Sequence, residues 1–344
     1  NQNGYIPNTD QARYSAQLNT RMSLGKLVDY DLATNFTYTK SNNLPMTEYN
    51  AGNVLQSITQ WFGRQVNMKS LKDNWNTIDP ETGLPYSWNP FYHQDPYYTV
   101  HKNVNEYTRN RFFGKSSLWL KPTDWLKFEG RLGYDYYNAE TFSKTAYNTD
   151  YPTGFFDLRD QKQTEVNADF VAYFNKNVGD LNINMIAGAN YRDVLWKYSR
   201  IYSDQLTVPE LFTVANAESK TIEMNHSHIR SNSVYGNLSL GYKNFLYSDI
   251  SARNDWSSTI SDPFFYPSIS ACFIPTSAFS ELFKGSILNY LKIRGGWAKI
   301  GNATTAYQTA AYYTSAASTI GSVTQFYLPT TYPPKNLKPE SVET

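Results

Sequence analysis

Hydrophobic and polar positions alternate strictly over residues 13–24. Tyr14, Ala16, Leu18, Thr20, Met22 and Leu24 fall on one side, while Arg13, Ser15, Gln17, Asn19, Arg21 and Ser23 fall on the other. A period of two is that of an extended strand with one apolar and one polar face. Gly25 and Lys26 predict a tight turn, and the pattern then restarts. Val28, Tyr30, Leu32, Thr34, Phe36 and Tyr38 face one way, with Asp29, Asp31, Asn35 and Thr39 opposite. The same arrangement predicts a hairpin about residues 121–124, where Leu118 and Leu120 lead into Leu126, Phe128, Leu132, Tyr134 and Tyr136. Lys127, Glu129, Arg131 and Asp135 take the alternate positions of that second strand. Further hairpins are predicted about 175–180 and 243–245. In the second of these, Asp249, Ser251, Arg253 and Asp255 alternate with Leu246, Ile250 and Ala252. A less regular pair runs through Ile269, Ala271 and Phe273, then Leu291, Ile293 and Trp297.

Ten strands are expected in all. Most span about ten to thirteen residues, long against the usual mode of about 5–6. Twelve residues rising about 3.3 Å each and tilted about 45° cover about 28 Å, close to the ~25 Å apolar band of an outer-membrane barrel. The connections sort by parity. Short turns alternate with long excursions at 40–110, 138–163, 193–230 and 302–340, although the link at 257–264 is shorter, and that at 275–289 longer, than the scheme implies. Short turns on one side and long loops on the other are the asymmetry of transmembrane barrels. The fold class expected is therefore all-β: a transmembrane antiparallel up-and-down β-barrel.

Lysine or arginine facing lipid at the midplane costs about 2–4 kcal/mol. The charged rows are accordingly expected to face the lumen: Arg13, Arg21, Asp29, Asp31, Lys127, Glu129, Arg131, Asp249, Arg253 and Asp255. Ten strands alone leave two unpaired edges in hydrocarbon. The chain starts at Asn1 and stops at Thr344 in mid-pattern, so it is expected to be part of a larger barrel whose other strands lie outside it.

Composition agrees with this expectation. Tyr 29, Phe 19 and Trp 8 make up 16% of a chain whose mean hydropathy is only −0.57, as amphipathic rings at a lipid–water boundary would require. A soluble β-rich protein, whose strands also favour aromatics, is the competing reading. The 31 basic and 30 acidic residues give no electrostatic footprint for nucleic acid. No run approaches the ~20 apolar residues of a membrane helix. The single cysteine, Cys272, excludes an internal disulfide.

From about residue 231 the residues become specific. Arg253-Asn254-Asp255-Trp256-Ser257-Ser258-Thr259, Phe265-Tyr266-Pro267-Ser268-Ile269-Ser270, Leu291-Lys292-Ile293-Arg294-Gly295-Gly296-Trp297, Ile300-Gly301-Asn302 and Asn336-Leu337-Lys338-Pro339-Glu340 occur in that order. This series, with the Asn89-Pro90 loop and the strand pair at 111–137, resembles the barrel of the SusC/RagA family of TonB-dependent transporters. The resemblance implies a barrel of about 22 strands, closed by an N-terminal plug that these residues do not include. It also implies a SusD-like surface lipoprotein as a cap, TonB with its inner-membrane motor as the energy source, and location in the outer membrane of a Gram-negative, Bacteroidetes-type bacterium. The implied activity is import of an oligosaccharide or peptide. A passive porin or protein-export channel is the alternative, and a soluble carbohydrate-binding β-protein a second one.

Candidate contacts follow. Trp61, Trp75, Trp88, Phe91 and Tyr92 in the 40–110 excursion can stack on substrate or touch the lid, since loops on rigid scaffolds often carry binding. They can equally form the small core that a long loop needs to stay folded. Arg253 and Asp255 can contact plug or substrate, or satisfy neighbouring charges. His226 and His228 point the same way on a strand, but two histidines fall short of the usual three or four metal ligands. Asp79-Pro80-Glu81-Thr82-Gly83 reads as a turn. With four histidines and no nucleophile elbow, phosphate-cradling loop or zinc spacing, no catalytic residue, cofactor or metal is expected.

Overall fold

In the computed structural model, all residues are described except 1, 48, 50–51, 90–91, 149–152, 322 and 335–336. Twelve strands form one antiparallel sheet in which the first eleven follow sequence order and the last pairs with the eleventh across an intervening hairpin. A two-residue edge strand, β1 (Gln2–Asn3), precedes β2 (Asp10–Leu24) and β3 (Val28–Ser41), followed by β4 (Val104–Leu120), β5 (Leu126–Thr145), β6 (Phe155–Val178) and β7 (Leu181–Ser203). Then come β8 (Thr221–Tyr242), β9 (Leu246–Ser257), β10 (Phe264–Phe273) and β11 (Ile293–Asn302). A separate hairpin, β12 (Thr314–Ile320) with β13 (Val323–Tyr327), precedes β14 (Glu340–Glu343), which pairs with β11.

The ten long strands coincide with the ten expected, and the register carries their alternation across the sheet. Arg21 pairs with Asp31, Asp31 with Ser117, Ser117 with Arg131 and Arg131 with Asp169. Paired residues share a face, so all ten charged residues from Arg13 to Asp255 lie on one side. The rows starting at Tyr14 and Val28 lie on the other. The apolar side is bare: Leu18, Leu132 and Phe170 are each more than half exposed. No described helix is long and apolar enough to cross a membrane.

Two expectations need correction. Strands β5 to β8 run 20, 24, 23 and 22 residues rather than about ten to thirteen. The excursions expected at 138–163 and 193–230 are therefore mostly strand, and among the described residues their non-strand parts shrink to 146–148, 153–154 and 204–220. The cause is the change of environment along each strand. The unbroken apolar outer rows end at Tyr136, Val166, Tyr191 and Val234, and beyond them the outer face mixes charged residues (Glu140, Lys162, Lys197 and Arg230) with scattered apolar ones. Once both faces are wet the alternation fades, but the ladder of backbone hydrogen bonds continues. The boundary also slips against the register. Along the row Tyr136, Thr164, Leu195 and His228 it lies zero, two, four and six residues nearer the turns, as a tilted sheet crossing a flat apolar slab requires.

Above that boundary the β7–β8 loop folds back over the outer face. Leu206 and Ala217 bury the outward Phe156, with Phe142, Ile201 and Phe212 around them, and Leu206 N–H donates to Thr153 Oγ1 at 2.8 Å. At the turn end, the β10–β11 link holds two short helices, α4 (Pro275–Ala278) and α5 (Ser280–Phe283).

Candidate functional site

The polar face is a network of ion pairs. Arg21 grips Asp31 at 2.5 Å, and Trp119 Nε1–H donates to the same carboxylate at 3.1 Å. Lys121 binds Asp29. Arg131 meets Glu129 at 3.1 Å, whose other partner is the Tyr173 hydroxyl at 2.9 Å. Arg253 donates to Asp255 at 2.7 Å and to Ser233 Oγ at 2.8 Å. Asp249 takes the Ser239 hydroxyl. Many charges on this face thus find partners within it, and Arg253 and Asp255 pair with each other.

At the loop end, the described residues between 42 and 103 form a cover pinned to the strand tips. Leu44 N–H donates to Asn105 O (2.8 Å), Asn105 N–H to Asn43 Oδ1 (2.9 Å) and Asn8 Nδ2 to Val100 O (2.7 Å). Asn53 opens α1 (Val54–Gln56) and the single π-helical turn 57–61, Asn67 caps α2 (Met68–Asn74), and Asp95 caps α3 (Pro96–Lys102). Ile6, Val54 and Val100 pack together beneath. Asp79 accepts from Glu81 N–H at 2.9 Å, and this local bond holds its carboxyl below the usual range, so 79–83 is the turn expected.

The aromatic candidates divide. Trp61 stacks on Tyr92 (6.3 Å) and leans on His93 (4.8 Å), and Trp88 stacks on His93 (5.8 Å) and meets Phe62 edge-on (4.5 Å). Three of the five thus gather around one imidazole. Trp75 stands apart against His101, and Phe91 lies outside the described residues. His93 was not anticipated. It is buried, with Nδ1 3.0 Å from Ser57 Oγ, and burial pushes its pKa down. The hub of the nest is therefore a neutral ring, as a loop core needs. Tyr92 still exposes 68% of its surface and Trp61 39%, so the outer rings of the nest remain open to contact.

Between this cover and the polar face of β5–β7 lies a cavity of about 880 Å³. The cover contributes Asn43, Tyr86, His93 and Asp95, and the strands contribute Thr141, Ser143, Asp157, Arg159 and Arg200. Asp157, 2% exposed, is held by both guanidiniums: Arg159 Nε at 2.9 Å and Arg200 Nε and Nη2 at 2.9 Å each. Arg159 and Arg200 stand directly opposite in the β6–β7 register, where like charges repel unless a counter-ion lies between them. Asp95 is fully buried; its Oδ1 accepts from Tyr97 N–H at 2.7 Å, while Oδ2 has no partner. Burial pushes its pKa up to about 6. Neither carboxylate was singled out from the sequence, because only the strand register and the folded cover show what surrounds them. His228 bonds Asp193 at 2.9 Å and His226 meets the Tyr307 ring edge-on, so both imidazoles serve local packing.

Neither a protein-family profile nor a curated protein matches the sequence. Solved structures do match, and they define the class: the sheet has the fold of a TonB-dependent receptor barrel. The RagAB peptide transporter superposes with a TM-score of 0.76 at 16% identity, covering 97% of this chain and 37% of that one. The siderophore receptor PiuA from Acinetobacter baumannii gives 0.52 at 11% identity (88% and 44% covered). The ferripyoverdine receptor of Pseudomonas aeruginosa gives 0.53 at 5% (89% and 37%). The chain thus spans less than half the length of these proteins, which are transporters and receptors rather than enzymes.

Proposed function

We propose that the chain is the wall of an outer-membrane importer that carries a nutrient, an oligosaccharide or peptide, through a plugged barrel. The observation that carries the reading is the two-faced sheet. Its bare apolar side suits hydrocarbon and its ion-paired side suits a wet lumen. The paired edges outside β2 and β11 are only two and four residues long, so closing the barrel calls for further strands of the same protein. Fold likeness to a peptide transporter and to siderophore receptors supports import as the activity. By the same reading a plug fills the lumen and couples to TonB, a SusD-like lipoprotein caps the loop end, and the protein resides in the outer membrane of a Bacteroidetes-type bacterium. Trp61, Trp88 and Tyr92 face the lid or the arriving substrate. The cavity behind them, walled by Asp157, Arg159 and Arg200, is where substrate first meets the barrel.

The test uses the full-length protein in its own cells. Accumulation of the nutrient that induces it is expected to fall to background when TonB is deleted. Undiminished uptake in the deletion strain overturns the reading in favour of a passive pore.

A further inference from the structure

A second hollow lies on the polar face just below the large cavity. On the middle strand, β5, the polar-face side chains at this level are small, Ala139 and Thr141, and they floor a pit of about 360 Å³. Arg109 of β4 stands at one side and Arg159 of β6 at the other. The rest of the wall is Tyr107, Tyr137, Gln161 and Tyr198. No carboxylate lines the pit among the described residues.

The charge around it does not cancel locally. Asp157 and Glu223 (3.5 Å from Arg200) answer Arg159 and Arg200, and Asp135 answers Arg111 at 2.5 Å. Arg109 has no ion-pair partner among the described residues. Its guanidinium lies 4.4 Å from the Tyr137 ring centroid, and its Nε is buried without a hydrogen-bond acceptor. A cation–π contact holds the plane of the group but leaves its edge donors unsatisfied. Gln161 Nε2 donates to the Tyr137 hydroxyl at 2.9 Å, which fixes that ring as the guanidinium's platform. A planar donor fork, held in place and lacking its acceptor, is shaped for a carboxylate.

We propose that this pit binds a carboxylate group of the transported ligand, with Arg109 as the principal donor and the three phenols as its aromatic wall. The inference rests on the importer reading, since it takes the polar face as the path of the substrate. Two kinds of nutrient carry the group: a peptide, through its terminus or acidic side chains, and a uronic-acid oligosaccharide.

Binding to the purified full-length protein with its lid tests the proposal by calorimetry, without TonB or energy. The probes are two matched pairs: a glutamate-containing tetrapeptide against its glutamine-containing, C-terminally amidated form, and tetragalacturonate against its methyl ester. In one pair the acidic member is expected to bind about ten-fold or more tightly than the neutral one, and that pair identifies the source. Arg109→Gln is expected to bring the ratio close to one, and Arg109→Lys to restore only part of it. Ala139→Phe, which fills the pit and leaves every charge in place, is expected to abolish the preference too. Heat-modifiable migration on gels confirms that each variant is folded. Equal binding or no binding by both members of both pairs, or a preference that survives Arg109→Gln, overturns the proposal. These outcomes are separate from the TonB test: a passive pore that still selects carboxylates would retain the pit and lose only the energised mechanism.

Discussion

Leu132 and Gly133 are consecutive on β5 and point to opposite faces. Leu132 sits at the centre of the outward apolar row Phe128, Gly130, Leu132, Tyr134 and Tyr136 and is 53% exposed. Gly133 lies on the ion-paired face. A Cβ built there meets Asn167 at 3.6 Å, an ordinary contact. An arginine at 133 would lie between Arg131 and Asp135 on the same face, so one attraction offsets one repulsion. Leu132→Arg instead places a charge in hydrocarbon near the midplane, at a cost of about 2–4 kcal/mol, a thirty-fold to thousand-fold shift at about 1.4 kcal/mol per ten-fold. Gly133→Arg is expected to cost under about 1 kcal/mol, because the group keeps its water. The assay is refolding of the full-length protein from denaturant into phospholipid vesicles, with folded fractions read by heat-modifiable migration. Equal losses for the two variants, or a greater loss for Gly133→Arg, would falsify the assignment of faces and the membrane barrel with it.

Asp157→Asn removes the carboxylate shared by Arg159 and Arg200 and leaves only Glu223, 3.5 Å from Arg200, as a counter-ion. Removing one member of a buried pair costs about 3–5 kcal/mol, but both arginines are partly open to solvent, so about 1–3 kcal/mol is expected. It should appear as faster hydrogen exchange at the tips of β6 and β7, and unchanged exchange there would refute the role. Asp95 makes the cover pH-sensitive. Its pKa of about 6 lies above the unfolded value of 3.8, so between about pH 4 and 6 only the opened form releases the proton. The cover is expected to weaken across that interval by about 3 kcal/mol and to stay weakened above it. Asp95→Asn keeps a helix cap and should flatten the pH dependence of limited proteolysis within 52–103; an unchanged profile counts against it. At Gly188 an added Cβ would lie 2.6 Å from the Tyr235 ring, whereas at Gly130 it meets nothing within 4 Å. Gly188→Ala is therefore expected to cost about 1–3 kcal/mol by displacing the ring, and Gly130→Ala nothing or a slight gain, both read by the refolding assay.

What the sequence revealed follows from what period-two alternation reports. It detects a strand only where one face differs chemically from the other, so β2, β3 and the turn-proximal halves of β4–β9 were plain in the residues. Beyond Tyr136 and Val166 the strict alternation breaks down because charged residues enter the outer face, and Glu140, Lys162 and Lys197 read as loop although the backbone pairing is unbroken. The candidate site was less legible still. Trp61, Trp88 and Tyr92 stood out by residue type, but the ring they surround, His93, belongs to a set of four scattered histidines. Asp157-x-Arg159 carries a faint signal, since residues two apart on a strand share a face. Arg200 lies 43 positions from Asp157, and only the β6–β7 register unites them. Trp75 was grouped with the other aromatics by proximity in sequence, yet α2 turns it toward His101 instead.

The division between rigid and adaptable parts then has a physical basis. On the polar face near the turns, Arg21–Asp31–Trp119 and Arg131–Glu129–Tyr173 tie adjacent strands together, so little hydrogen-bonding capacity is left for a passing solute. At the loop end the balance shifts. Arg109 keeps an unanswered donor and Asp95 an unanswered acceptor, and the cover exposes Trp61 and Tyr92. A wall whose ion pairs tie its strands together near the turns, and which keeps a guanidinium without a counter-ion and a carboxylate oxygen without a donor toward the cover, concentrates recognition where a solute arrives from outside. Filling the pit at Ala139 should therefore change which solutes are selected without loosening the barrel, whereas removing Glu129 or Asp31 should loosen the barrel before it alters selection.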